Sequence, residues 1–389
     1  MTSWDGIRIG QSCSADARTA VRELHEAVAQ PDAGLVIFFC SDEYDLDVVA
    51  AEMSERFADA TVVGCTTAGE IGPAGCRDHS IAGVSLAASV CTAVTGHLER
   101  LDQFTAAEGR ALARELLDRL DERSTGAERL DRFAFMLVDG ASVREEHVAS
   151  ALQDGLGEVS LIGGSAGNGL RFGSTYVYVD GRFLPGAAVL IVADTPLPIM
   201  PFKTQHFVPT DERLVVTEAD PARRTVTEIN GLPAAAEYAR ALGVAEGDLG
   251  PSRFASSPVV VLIDGGNYVR SIQKVNPDGS LTFFCAIEAG VVLRMARGVD
   301  LVANLEEAFS RVSAHIGPPR LVLTCDCILR RLEIVENGLQ SRVDEILGTN
   351  NAVGFNTYGE QFCGVHINQT LTAIAFGTAP ARDGHGREP

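Results

Sequence analysis

Val62-Val63-Gly64-Cys65-Thr66-Thr67-Ala68-Gly69-Glu70 returns near the C-terminus as Ala352-Val353-Gly354-Phe355-Asn356-Thr357-Tyr358-Gly359-Glu360. The shared pattern is V-G-x-x-T-x-G-E, and an internal echo of this kind is read before any other feature because it sets the architecture. Its surroundings repeat as well. An apolar run precedes each copy, at residues 35–41 and 321–326, and helical spacing fills the interval, at 46–57 and 332–347. A weaker third copy has the run 133–138, the helical pattern 144–156 and the loop Leu161-Ile162-Gly163-Gly164-Ser165-Ala166-Gly167, with Asn168 near the place of the Glu. Further strand candidates follow the loops, at 80–86, at 175–179 with 187–193, and at 369–376. The units read strand, helix, strand, Gly-rich loop. They predict a mixed α/β (α+β) fold of two domains built from repeated units with internal pseudo-symmetry.

Turn residues punctuate the rest. Asp180-Gly181 and Asp278-Gly279 each predict a hairpin between short β-prone runs. Prolines 196, 198 and 201 are expected to interrupt regular structure. Residues 225–229 read as a strand turned by Asn230-Gly231, and Pro233 opens a helix over 234–242 at a favoured first-turn position. The expected division is a first domain over 1–229, a second over 230–379, and a polar tail at 380–389.

Composition bounds the function. The chain has 389 residues, 46% hydrophobic and 22% charged, which describes a globular, core-burying protein. A net charge of −20 repels phosphate, which argues against nucleic acid and anionic membrane as partners. No apolar run approaches the roughly 20 residues of a membrane span, and the first residues show no secretory pattern. A cytoplasmic protein is expected, its nine cysteines reduced. The sequence leaves open whether it forms a homo-oligomer.

The chain resembles the FIST sensory proteins, which pair an N-terminal with a C-terminal FIST domain. The resemblance is carried by residues 63–71, by Glu228-Ile229-Asn230-Gly231-Leu232-Pro233-Ala234, by residues 353–360 and by His366-Ile367-Asn368-Gln369-Thr370, and it extends over residues 33–378. Within the family, Lys203-Thr204-Gln205-His206-Phe207-Val208-Pro209-Thr210 and residues 358–366 resemble the bacterial nitric-oxide-sensing branch. That resemblance implies haem as cofactor, a gas ligand, and a histidine kinase or cyclic-di-GMP enzyme regulated in trans. It places His206 and His366, both in apolar company, as axial ligands to haem iron. The alternative is a haem-free sensory module for a small, amino-acid-like metabolite.

Candidate ligand-binding residues are Thr66, Thr67, Gly69, Glu70, Asn356, Thr357, Gly359, Glu360 and Asn368, because Thr hydroxyls, amides and carboxylates at Gly-rich strand ends offer directed hydrogen bonds to a cleft. The bland reading is that Thr and Glu cap their own loops. Arg330 is a candidate carboxylate clamp, against the reading that the Arg330-Arg331 pair is a solvated helix start. Cys325 and Cys327 on one strand face, with Cys363 and His366, form a rival zinc set; buried free thiols are the bland alternative, and a nucleophilic cysteine a third. The Gly-rich loop at 162–169 lacks a Gly-Lys-Ser/Thr ending, so it is not read as a phosphate cradle. With no acid–base–nucleophile set assembled, the chain is not expected to be an enzyme.

Overall fold

The computed structural model describes residues 3–4, 6–124, 130–263 and 266–378, so the expected tail at 380–389 lies outside the described residues. The fold is mixed α/β, with nine α-helices among the described residues and four sheets.

Three of the sheets are built around one parallel strand pair each. Ala33–Ser41 runs parallel to Thr61–Thr67, with helix Leu46–Arg56 between them and Ile81–Ala87 antiparallel on the other side. Asp131–Val138 runs parallel to Leu161–Ser165 across helix Glu145–Leu156, with Ala188–Thr195 antiparallel. Leu321–Cys327 runs parallel to Ala352–Thr357, with Leu371–Phe376 antiparallel. Their near-continuous apolar sequences follow from burial on both faces. Leu35, Ile37 and Phe39 point into one core with Phe133, Phe135, Leu323 and Phe355, so all three sheets share it. Phe39 stacks on Phe355 at 4.7 Å, and Phe133 meets Phe376 edge-on at 5.2 Å. The alternate residues Val36, Phe38 and Cys40 pack outward under helices Ala17–Val28 and Leu46–Arg56; Ala134, Met136 and Val138 do the same under Ala106–Arg123 and Glu145–Leu156.

Each parallel pair would leave an open backbone edge, which needs a partner. Hairpins from elsewhere in the chain supply it. The hairpin at 70–77, which follows the first motif loop, pairs with Ala352–Thr357. The hairpin at 360–367, which follows the third, pairs with Leu161–Ser165. The hairpin at 177–184, which follows the second, pairs with Thr61–Thr67. Its turn residues Asp180 and Gly181 have φ of 51° and 80°, as expected of a tight Asp-Gly hairpin. The fourth sheet is eight-stranded and antiparallel, contributed by residues 207–298, with its own core around Leu214, Val226, Tyr238, Phe254 and Phe283. The Asn230-Gly231 turn and helix Ala234–Leu242 stand there as read, and residue 230 lies within this sheet, between its strands Thr225–Ile229 and Leu232–Pro233.

Two expectations change. The helical pattern at 332–347 is two helices, Ile328–Glu336 and Gln340–Thr349, because Gly338 adopts φ 67° between them. Pro196 and Pro198 do lie in the break between strands Ala188–Thr195 and Ile199–Thr204, whereas Pro201 sits within the second, accommodated because that strand is the edge of its sheet.

The first Gly of the motif is explained by close approach. A Cβ on Gly354 would overlap the Thr324 carbonyl of the neighbouring strand, and one on Gly64 would lie 2.6 Å from the Phe38 ring and carbonyl. Gly354→Ala is therefore expected to destabilise by about 2–4 kcal/mol through forced strand separation. Gly348→Ala, at a helical position with open space around it, should stabilise by about 0.5–1 kcal/mol. Urea unfolding of both variants checks the contrast.

Candidate functional site

The three Gly-rich loops meet. The Ala68 amide donates to the Asn356 carbonyl at 3.0 Å and the Asn356 amide to the Gly69 carbonyl at 2.7 Å. The Ser165 amide donates to the Gly359 carbonyl at 2.9 Å, and the Gly167 amide to the Thr66 carbonyl at 2.9 Å. Each loop is thereby tied to the other two.

Inside this junction the T-x-G-E motif makes the same network twice. The Thr67 hydroxyl donates to the Glu70 carboxylate, whose other oxygen accepts from the Ser80 amide at 3.0 Å and the Ser80 hydroxyl at 2.8 Å. The Thr357 hydroxyl donates to Glu360, which also accepts from the Thr370 amide at 3.2 Å and hydroxyl at 2.6 Å. The Gly69 and Gly359 amides donate to the Thr67 and Thr357 hydroxyls at 3.3 and 3.2 Å. Thr66 accepts from the Tyr176 amide at 3.0 Å, and the Asn356 side-chain oxygen accepts from Cys76 Sγ at 3.0 Å. Thr66, Thr67, Glu70, Asn356, Thr357 and Glu360 are all buried, with partners in and beside their own loops. Burial pushes the Glu70 carboxyl up to about 7 against the hydrogen bonds that favour its charge. Burial pushes Glu360 to about 8, with the Asp326 charge adding.

The two histidines have different partners. His206 is buried and bonds through Nε2 to Glu333 at 2.8 Å, its ring 4.2 Å from that of Phe207. His366 is buried, its Nδ1 3.1 Å from the Gln361 side-chain nitrogen, and burial holds it down to about 4, hence neutral. A Cβ on Gly359 would collide with the His366 ring and come within 3.0 Å of Asn368, so this side of the imidazole is filled. Neither histidine lines any of five well-formed clefts among the described residues. Each imidazole keeps one buried ring nitrogen, Nδ1 of His206 and Nε2 of His366, without a hydrogen-bond partner. Among the described residues no group of three or more His, Cys, Asp or Glu converges to hold a metal ion, and Cys325 and Cys327 are buried thiols.

Arg330 is fully buried, its Nε donating to Asp326 at 2.8 Å, while both terminal nitrogens have no protein hydrogen-bond partner. Asn368 is buried with both amide atoms in the same condition. It is Arg331, outside the expected set, that reaches the loop junction, donating to the Ala68 carbonyl at 2.7 Å and pairing with Asp78 at 2.8 Å.

A cleft of about 220 Å³ opens beside the junction. Val143, Glu145, Phe172, Arg224, Phe284 and Tyr358 line it, so it is shared between residues before and after 230. Tyr358 belongs to the third motif loop; its hydroxyl accepts from the Asn168 amide at 3.1 Å and the Phe172 amide at 3.2 Å. The first loop has Ala68 at the matching place, so the aromatic group is supplied once. Val143, Phe172 and Arg224 all have positive φ, at 57°, 51° and 53°. Such conformations cost about 1–3 kcal/mol each and gather at functional sites, and for β-branched Val143 the value is an outlier. Val143 and Phe172 are also exposed at the mouth, at 40% and 36%. Below it, the Arg224 guanidinium binds both Glu145 and Glu146, the latter at 2.6 Å, and Glu146 accepts from the Ala286 amide at 2.9 Å. Of these residues only Tyr358 fell within a motif quoted from the sequence; Phe172, Arg224 and Phe284 come from loops whose only signal is an aromatic or charged residue among turn formers.

Residues 34–232 match the FIST N domain and residues 234–363 the FIST C domain. The chain belongs to the FIST family, whose domains are sensory, bind small ligands and signal to partners. No curated protein matches it. Among solved structures, a chain of PurLQS from Thermotoga maritima aligns over 96% of this chain and 72% of that one, at 10% identity and a TM-score of 0.20, a level that carries no argument. No helix among the described residues is long and apolar enough to cross a membrane.

The buried carboxyls predict a pH dependence. With folded values of about 7 and 8 against 4.5 unfolded, the native state holds protons that the unfolded chain has released. This stability is fully present below pH 4.5 and is lost as pH rises through 7 and 8, at up to about 1.4 kcal/mol per pH unit for each group. Glu70→Gln with Glu360→Gln should flatten the decline between pH 5 and 8.5 in urea unfolding. An identical slope in the double variant would show that these carboxyls are not the titrating groups.

Proposed function

We propose that this protein is a haem-free sensor of a small, amino-acid-like metabolite, bound in the cleft lined by Phe172, Phe284 and Tyr358. The observation that carries the reading is the strained, aromatic cleft itself, joined through Tyr358 to the loop junction. A ligand lying on Tyr358 and Phe172 touches the residues whose backbone amides hold the Tyr358 hydroxyl. Any preference of the ligand for one arrangement of these loops becomes a shift between two states. The signal then passes by contact to a partner signalling enzyme, a histidine kinase or cyclic-di-GMP enzyme, in the cytoplasm, with no turnover by this chain. The nitric-oxide reading would need haem iron to reach the buried Nδ1 of His206 or Nε2 of His366, and neither residue lines the cleft proposed here.

The test is a thermal-shift and calorimetric screen of amino acids and their close derivatives, with a haemin titration alongside. A ligand at 100 times its Kd should stabilise the protein by about 2.7 kcal/mol. Phe284→Ala should weaken its binding at least about tenfold, the scale of one lost aromatic contact. Saturable haemin binding near one per chain, lost in His206→Ala or His366→Ala, would overturn the proposal, as would a screen without any binder.

A further inference from the structure

We infer that the face of the fourth sheet turned away from its core is a docking surface for an acidic amphipathic helix of a partner protein. The helix lies across the strands on Val215, Val292 and Leu262, with its carboxylates on Arg213 and Arg294. The inference does not depend on which ligand the cleft takes.

Strand register puts two parallel lines of side chains on this face. Leu214 and Leu293 point into the sheet's own core, so their neighbours Arg213, Val215, Val292 and Arg294 point away from it. Val215 stands directly opposite Val292, and Arg213 directly opposite Arg294. Val261 pairs with Leu293, which sets Leu262 beside Val292. The apolar line Val215, Val292, Leu262 is exposed at 38%, 46% and 58%. Next to Arg294 the same face closes over the buried cluster of Phe207, Val260, Val269 and Ala296, which bounds the open part.

The second line is charged. Like charges directly opposite each other on adjacent strands cost stability, and neither Arg213 nor Arg294 makes an ion pair among the described residues. Glu212, beside Arg213, is turned to Arg240 at 2.8 Å. Elsewhere on the surface an arginine holds two carboxylates: Arg171 has Asp42 and Glu43, and Arg342 has Glu306 and Glu345. In a sequence of 52 acidic and 32 basic residues, two adjacent arginines without a carboxylate are complementary to an acidic partner. The spacing selects a helix. Neighbouring strands lie about 4.8 Å apart, close to the roughly 5.4 Å that a helix advances per turn. A helix laid across the strands therefore sets successive turns over Val215, Val292 and Leu262. Apolar residues at i, i+4 and i+7 cover that line, and Asp or Glu beside them reach the arginines, about 7 Å along the strands. The net charge of −20 repels such a helix from the remaining surface taken as a whole.

The experiment uses the whole protein and two lactam-stapled helical peptides of about four turns. Both carry leucine at i, i+4 and i+7; one has a flanking line of glutamates, the other glutamines in their place. Fluorescence anisotropy should show the glutamate peptide binding at least about fivefold more tightly, the scale of charge pairs at an interface. That preference should shrink as salt is raised. Arg213→Thr with Arg294→Thr should erase it while leaving the glutamine peptide's binding unchanged. Val292→Ser, at an exposed position, should weaken both peptides alike. Equal binding of the two peptides overturns the inference, as does binding of neither or a preference that survives loss of both arginines. Self-association in sedimentation that Val292→Ser abolishes would assign the face to a second copy of the chain and overturn it too.

Discussion

Three parallel strand pairs cannot each stand alone, because every one ends in a row of unpaired backbone donors and acceptors. The chain closes each edge with a hairpin that leaves one unit and joins another: 70–77 onto Ala352–Thr357, 360–367 onto Leu161–Ser165, and 177–184 onto Thr61–Thr67. This exchange couples the three sheets through main-chain hydrogen bonds and brings their inner faces onto one core. It also forces the loops preceding the hairpins to converge, since each must cross from its own sheet to its neighbour's.

The T-x-G-E motif is a response to that crossing. A backbone turning inside a core must satisfy its polar groups without water. Thr67 with Glu70, and Thr357 with Glu360, do so by gathering the amides and hydroxyls of the turn and of Ser80 or Thr370 onto one carboxyl. The carboxyls are held high by burial, so the junction that organises the fold is itself protonated more readily than a surface glutamate. In these positions the residue types that would suit a ligand are already engaged with the protein.

The cleft arises where this internal order is broken once. Tyr358 replaces the small Ala68 of the matching loop and projects to the boundary with the fourth sheet. There it meets Phe172 and Phe284, and Arg224 ties the start of helix Glu145–Leu156 to residues 283–286. Strained backbone at Val143, Phe172 and Arg224 is held by the packing of both halves. A ligand seated here would touch residues of both.

Sequence alone determined the mixed α/β class, the strand–helix–strand–loop units, the Asp-Gly and Asn-Gly turns and the family, because periodicity, turn chemistry and a nine-residue echo are local. It also marked His206 and His366, buried as their apolar company suggested, and Arg330 and Asn368 as candidate ligand groups. Only the tertiary structure decided what those residues do. It gave His206 to Glu333 and His366 to Gln361, left the ends of Arg330 and Asn368 without protein partners, and sent Arg331 to the loop junction. It alone assembled the cleft, whose residues include those at 143, 145, 172, 224, 284 and 358. The reason is physical: a motif records which groups a turn needs, whereas the cleft depends on which hairpin crosses to which sheet, and nothing in a single segment encodes its partner.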